Sequence, residues 1–200
     1  MQLVLATNNQ DKIREIRNLL DDLPITILTS DDFLEFPDPE ETGETLEENA
    51  VLKAREISEF TGHPALADDS GLEVDALDGA PGVYSSRYAG PGCTYEDNNR
   101  KLLGELEGVP DDKRTARFRC VIAVAWSPGE IETVEGRAEG VIAGDIVGRK
   151  GFGYDPVFYY PPADKRFSEM SLDEKNLVSH RGKALTLARD VIIARLNAPR

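Results

Sequence analysis

Sulfur, imidazole and long apolar runs are all scarce in this 200-residue chain. The two cysteines, Cys93 and Cys120, lie far apart and match neither a disulfide framework nor a zinc-ligand spacing, so a reduced, cytoplasmic setting is expected. With only two histidines, His63 and His180, a histidine-rich metal site is excluded. No stretch approaches the roughly 20 apolar residues that span a bilayer. The apolar start of the chain stops at Thr7-Asn8-Asn9, so neither a membrane partner nor a signal peptide is expected. Positive charge is also short: 23 basic against 37 acidic residues give a formal charge of −14, which argues against nucleic acid as a partner. Any phosphate site must therefore be a local basic cluster.

Several catalytic templates are missing as well. There is no G-x-x-x-x-G-K-[ST], no G-x-S-x-G and no H-E-x-x-H, and neither cysteine has the setting of a nucleophile. Covalent catalysis is disfavoured, and metal-assisted attack by water becomes the leading chemistry.

What is present reads as an α/β chain. Gln2 to Ala6 suits a short buried strand, followed by a polar turn and a helix with Ile13, Ile16, Leu19 and Leu20 on one face. Ile25 to Leu28 is a second strand, and residues 30 to 44 form an irregular acidic loop. Helical period returns from Thr45 to Thr61, where Leu46, Asn49, Ala50, Lys53 and Ile57 share a face and Thr45 with Glu48 forms a capping box. Ala65 onward starts as a strand that Asp68-Asp69-Ser70-Gly71 is expected to interrupt. Thr94 to Leu106 is an amphipathic helix, and Arg117 to Trp126 and Glu130 to Ile142 form a hairpin about Ser127-Pro128-Gly129. Lys183 to Leu196 closes the chain as a helix with Leu185, Leu187, Ala188, Val191, Ile192 and Leu196 inward. One domain over 1–200 is expected.

Four clusters could carry chemistry. Adjacent carboxylates at Asp68 and Asp69 are costly near a buried strand unless a cation or hydrogen bonds compensate, though an Asx-turn explains the same letters. Thr7-Asn8-Asn9 with Lys12 places a helix N-terminus and a lysine where a phosphate would sit, with Asn9 as a simple N-cap the alternative. Gly151-Phe152-Gly153-Tyr154-Asp155 presents a ring between glycines, a base-stacking platform or a packed turn. Ser179-His180-Arg181-Gly182-Lys183, with Lys175 upstream, concentrates hydrogen-bond donors just before the last helix.

Taken together, LATNNQDK, EETGETLEENAVLKA, ALADDSGLEVDALDGAPGVYSSRYAG, ARFRC, GFGYDPVFY and SHRGKAL follow the order found in the inosine/xanthosine triphosphate pyrophosphatase family, which the chain resembles from Leu5 to Leu185. The resemblance implies an elongated α/β fold with a mixed, twisted sheet and two lobes flanking a central substrate cleft, assembled as a homodimer. It also implies Mg²⁺-dependent cleavage of dITP, ITP and XTP, purine nucleoside triphosphates, to the monophosphate and pyrophosphate. Asp69 matches the proton acceptor and a metal ligand, and Glu40 matches the loop carboxylate at Mg²⁺, with Glu41 the neighbouring alternative. Thr7, Asn8, Asn9 and Lys12 match the triphosphate turn, and Lys53 and Ser70 match further substrate contacts. Phe152, Gly153, Tyr154, Asp155, Lys175, His180 and Arg181 fall on base- and sugar-binding segments. Many relatives carry Gly where Asn8 stands, in a turn expected to need unusual dihedrals that Asn tolerates. A hydrolase for other modified nucleotides and a non-catalytic nucleotide sensor are the competing expectations.

Overall fold

A computed structural model describes residues 1–148 and 150–198. Strand β1 (Gln2–Leu5) leads into helix α1 (Gln10–Leu20), β2 (Thr26–Leu28), α2 (Leu46–Thr61), β3 (Ala65–Val74) and β4 (Pro81–Gly82). Then come α3 (Tyr95–Glu105), β5 (Thr115–Ser127), β6 (Glu130–Ile142), β7 (Phe158–Tyr160), β8 (Lys165–Arg166), α4 (Leu172–Val178) and α5 (His180–Asn197). Among the described residues the strands form one mixed sheet in the order β2-β1-β3-β5-β6-β7-β8, with β4 paired to β3. Strand β1 is parallel to β2 and to β3, with Leu5 level with Leu66, whereas β3–β4, β6–β7 and β7–β8 are antiparallel. The chain is α/β, and no described helix is long and apolar enough to cross a membrane.

By contacts the chain divides into two compact units, each with its own core. Unit 1 holds residues 1–69, 120–136 and 181–200. Leu3 and Leu5 of β1, Leu66 of β3 and Ile122 and Val124 of β5 pack there with Ile13, Ile16 and Leu20 of α1 and Leu185, Ala188 and Ile192 of α5. Unit 2 holds residues 70–119 and 137–180, with Leu72, Leu102, Leu106, Phe118, Phe158 and Phe167 at its centre. The Phe118 ring lies 4.6 Å from Phe158 and 5.9 Å from Phe167, the spacing at which aromatic pairs attract beyond simple burial.

Four local expectations change. Strand β3 runs unbroken through Asp68-Asp69-Ser70-Gly71, because lysine and arginine side chains neutralise the carboxylates and leave the backbone free to pair. Helix α4 had no expected counterpart; its start is set by Ser171 and Glu174, a capping box in which each side chain accepts from the other residue's N–H. The last helix begins at His180, not Lys183, so His180 and Arg181 sit inside its first turn rather than before it. Leu187 is exposed, since Leu185, Ala188 and Ile192 already define the buried stripe and position 187 falls off it.

Candidate functional site

The charged cluster of unit 1 starts from three element ends. After β1, Asn9 caps α1 by accepting from the N–H groups of Asp11 and Lys12, and Thr7 Oγ1 accepts from Asn9 N–H at 3.2 Å. Among the described residues the non-glycine positions with positive φ are Asp78 and Asp164, so Asn8 needs no left-handed backbone; it lies exposed between β1 and α1. Lys12, one turn into α1, reaches back to Asp68 with its Nζ 3.1 Å from Oδ2.

Helix α2 supplies Lys53, a lysine on the buried face. Its Nζ donates to Glu41 Oε1 and to Asp69 Oδ1, each at 2.8 Å, and to the Asp68 carbonyl at 3.0 Å. Burial works against an ammonium here, but the charges of Asp69, Glu41 and Asp68 outweigh it and hold Lys53 above the usual lysine range. Asp69 is shifted the other way for a carboxylate: burial raises it, Lys53 pulls it down and Glu41 pushes it up again, with a net rise. One ammonium shared between two carboxylates gives neither a full counter-charge.

Asp68 is buried yet held below its usual value, because Lys12, Arg181 and Lys53 together overcome the cost of desolvation. Arg181, from the first turn of α5, donates from Nε to Asp68 Oδ2 at 3.1 Å and from an Nη to Glu15 Oε2 at 2.7 Å. Unit 1 therefore collects three cations, Lys12, Lys53 and Arg181, against four carboxylates, Glu15, Glu41, Asp68 and Asp69.

That donor set fits a hard divalent cation. Glu41 and Asp69 offer carboxylate oxygens to one point, and the crowding of their charges is what an added cation relieves. Mg²⁺ takes one or two carboxylates and completes its shell with water and substrate phosphates. Among the described residues no group of three or more His, Cys, Asp or Glu could hold a metal ion by itself. Glu40 is exposed, and its carbonyl accepts from Thr42 N–H at 3.0 Å; the structure brings Glu41 to Lys53.

Unit 2 holds the remaining expected residues. Gly151 has φ +75°, and a Cβ on it would collide with the Asp155 carboxylate, so glycine lets the loop fold over that side chain. Asp155 Oδ2 accepts from Phe152 N–H at 2.8 Å and from Lys175 Nζ at 2.7 Å, and both charged side chains are buried. The same ammonium sits 4.7 Å from the centre of the Phe152 ring, whose neighbour is Tyr95 at 6.0 Å. Asn99 of α3 donates to the carbonyls of Tyr95 and Gly153, both at 2.8 Å, joining the two ring-bearing segments. Tyr154 is buried and donates to the Ser85 carbonyl. His180 lies flat against Phe118 at 4.5 Å, and Ser70 is half-buried within β3.

Thr7, Asn9, Lys12, Lys53 and Asp69 thus gather in unit 1, and Phe152, Gly153, Tyr154, Asp155 and Lys175 gather in unit 2. Arg181, expected with the base-binding segments, belongs by its contacts to the carboxylates of unit 1. Sequence reasoning did not single out Glu15, Asn49, Tyr95 or Asn99. Asn49 carried a usable signal, a polar residue on the apolar face of α2 next to Lys53; Glu15 carried only its position beside the apolar stripe of α1.

A family model described as the Ham1 family matches residues 3–191. A dITP/XTP pyrophosphatase of Desulforamulus reducens is 53% identical, over 96% of this chain and 96% of that protein. Another from Geobacter sulfurreducens is 53% identical over 94% and 95%. Among solved structures, a HAM1 protein from Coxiella burnetii has a TM-score of 0.90 at 44% identity, covering 97% of this chain and 99% of its own. The Ham1 protein of Staphylococcus aureus gives 0.87 at 38% identity, covering 98% and 100%.

Proposed function

The chain belongs to the Ham1 family, and on that premise we propose that it hydrolyses the non-standard purine nucleoside triphosphates dITP, ITP and XTP to the monophosphate and pyrophosphate. The observation that carries this is Lys53, an ammonium held between Asp69 and Glu41 with Lys12 alongside on Asp68. This arrangement supplies a base, a pair of hard oxygen donors and two cations for phosphate within one unit.

Water attacks the α-phosphorus, the bond to the bridging oxygen of the β-phosphate breaks, and pyrophosphate leaves. Asp69 takes the proton of the attacking water, its carboxylate buried and set in place by the bond from Lys53. Lys12 and Lys53 receive the charge of the departing pyrophosphate. Mg²⁺, when held by Asp69 and by Glu41 in the role that the motif match gives to Glu40, would neutralise phosphate charge. The Phe152 ring, with Tyr95 beside it, offers the base a stacking surface, and Ser70, Asp155 and Lys175 complete the expected substrate contacts. Hypoxanthine and xanthine carry a 6-keto acceptor where adenine carries an amino donor. Donors at His180 and the backbone N–H of Arg181 would face an unpaired group in adenine, a mismatch costing roughly 1–3 kcal/mol. The whole chain acts as one functional domain, as a cytoplasmic homodimer.

The test is pyrophosphate release from dITP, XTP, dGTP and dATP, with Mg²⁺ and with EDTA, for wild type and Asp69→Asn. The expected outcome is Mg²⁺-dependent turnover of dITP and XTP, with the variant down by roughly 10²-fold or more. Turnover of other modified nucleotides alone would place the chain among different house-cleaning hydrolases. Tight binding without turnover would make it a nucleotide sensor.

A further inference from the structure

Between the 3₁₀ turn Ser30–Asp32 and α2 the acidic loop has no strand or helix to fix it, yet Glu41 reaches Lys53 at 2.8 Å. Its anchor lies in the first turn of α2. Thr45 caps the helix by accepting from Glu48 N–H, and Glu48 Oε2 accepts in return from Thr45 N–H at 3.3 Å and Glu44 N–H at 2.7 Å. One residue further out, Gly43 N–H donates to Asn49 Oδ1 at 2.8 Å. Three successive backbone donors of the loop are thus captured by side chains of one helical turn.

The last of these captures is the least ordinary. A capping box needs only the N-cap and the residue three further on, so the bond to Asn49 is an addition that binds the loop two residues above the cap. It also demands glycine: a Cβ on residue 43 would stand 2.7 Å from Asn49 Oδ1 and from Glu48 Cβ. Asn49 is fully buried, and its Nδ2 has no hydrogen-bond partner among the described residues. A buried donor left unsatisfied is a cost that an apolar side chain would avoid, so the carboxamide is there for what its oxygen does. Asparagine accepts from Gly43 without adding a further negative charge beside Glu41 and Asp69. Asn49 and Lys53 are four residues apart on one face of α2, so the side chain that holds Gly43 and the ammonium that receives Glu41 are set by the same helix.

We propose that Asn49 is a positioning residue for the carboxylate pair, with Gly43 as the backbone position it requires: the bond between them sets where Glu41 stands relative to Lys53 and Asp69. The inference rests on the proposed Mg²⁺-dependent hydrolysis, in which Glu41 and Asp69 share the cation. Without the anchor, the loop keeps its acid but loses its place. The deficit then falls on metal affinity more than on the chemistry once metal is saturating.

Asn49→Ala and Gly43→Ala should each raise the Mg²⁺ needed for half-maximal rate by about tenfold, the usual scale for a residue supporting a ligand from behind. The rate at saturating Mg²⁺ should stay near wild type. Mn²⁺ alone, titrated without nucleotide and counted by the resonance of the free ion, should bind more weakly by a similar factor. The Gly43 amide should lose its protection from hydrogen exchange in Asn49→Ala, whereas Asn49→Asp, which keeps the acceptor, should restore that protection. If Asn49→Ala folds poorly, Gly43→Ala reports on the same anchor from the loop side. A protected Gly43 amide or an unchanged Mg²⁺ requirement in Asn49→Ala would overturn the inference while leaving the hydrolase reading intact. Wild-type turnover undiminished in EDTA would instead remove the metal reading, and the inference with it.

Discussion

Each unit buries a lysine against a carboxylate, and the two lysines are used differently. Lys53 in unit 1 divides its three protons among Glu41, Asp69 and the Asp68 carbonyl. Lys175 in unit 2 donates to Asp155 and lies over the ring of Phe152. The first lysine stands between two carboxylates, which can also hold a cation, and its own charge can be shared with phosphate. The second lies against Asp155 and the Phe152 ring, and it holds a loop and a ring in place. A buried ammonium beside a carboxylate is therefore not a role in itself; the groups it is shared among decide what it serves.

The comparison is broken most forcefully by replacing each lysine with methionine. Lys53→Met should lower the rate by roughly 10²-fold or more, as expected when a charge poised at the reacting phosphate is lost. It should also lower the melting temperature, and Mg²⁺ should restore much of that loss by compensating Glu41 and Asp69. Lys175→Met leaves Asp155 buried without its cation, which typically costs about 3–5 kcal/mol. Its melting temperature should not respond to Mg²⁺, and its kinetic defect should appear in KM for the nucleotide. Thermal melts of both variants with and without Mg²⁺ decide the matter: an equal response to Mg²⁺ would erase the distinction.

A smaller contrast lies within the acidic loop itself. Glu41→Gln should weaken the Mg²⁺ dependence by about tenfold, while Glu40→Gln, at an exposed position, should leave it unchanged. The reverse result would mean that the loop turns over when metal and substrate arrive.

Much of this was legible in the sequence, and the gaps have a common cause. Elements set by local rules read well: the Asn9 cap, the Thr45–Glu48 box and the hairpin at Pro128-Gly129 all depend on neighbours within a few residues. Strand β3 was expected to break at Asp68 because the partners that make its carboxylates tolerable come from Lys12, Lys53 and Arg181, remote in the chain. Arg181 was grouped with base-binding donors because nothing local discloses that Glu15, 166 positions away, takes one arm of its guanidinium. The motif strings carried the positions of Asp69, Lys53 and Phe152. Which side chain each of them faces is a tertiary fact, as the bond from Lys53 to Glu41 rather than to Glu40 shows.

The smallest expected effect extends the same comparison to the surface of unit 2. Glu174 accepts from Ser171 N–H and from Lys165 Nζ, and these bonds lower its pKa from 4.5 to about 2, the Lys165 bond contributing most. Because the folded value is depressed, its contribution to stability is complete above the unfolded value and is lost as pH falls through the folded one. The melting difference between wild type and Glu174→Gln should thus be small at neutral pH and vanish between about pH 4.5 and pH 2. It should also shrink with added salt, since both partners are substantially exposed and screened. Asp68 is likewise depressed by its cations, but it is buried against Lys12 and Arg181, where salt penetrates little. Melts of Asp68→Asn and Glu174→Gln at low and high salt should therefore diverge, the first insensitive and the second fading. Equal fading would mean that the unit 1 network is open to solvent and salt.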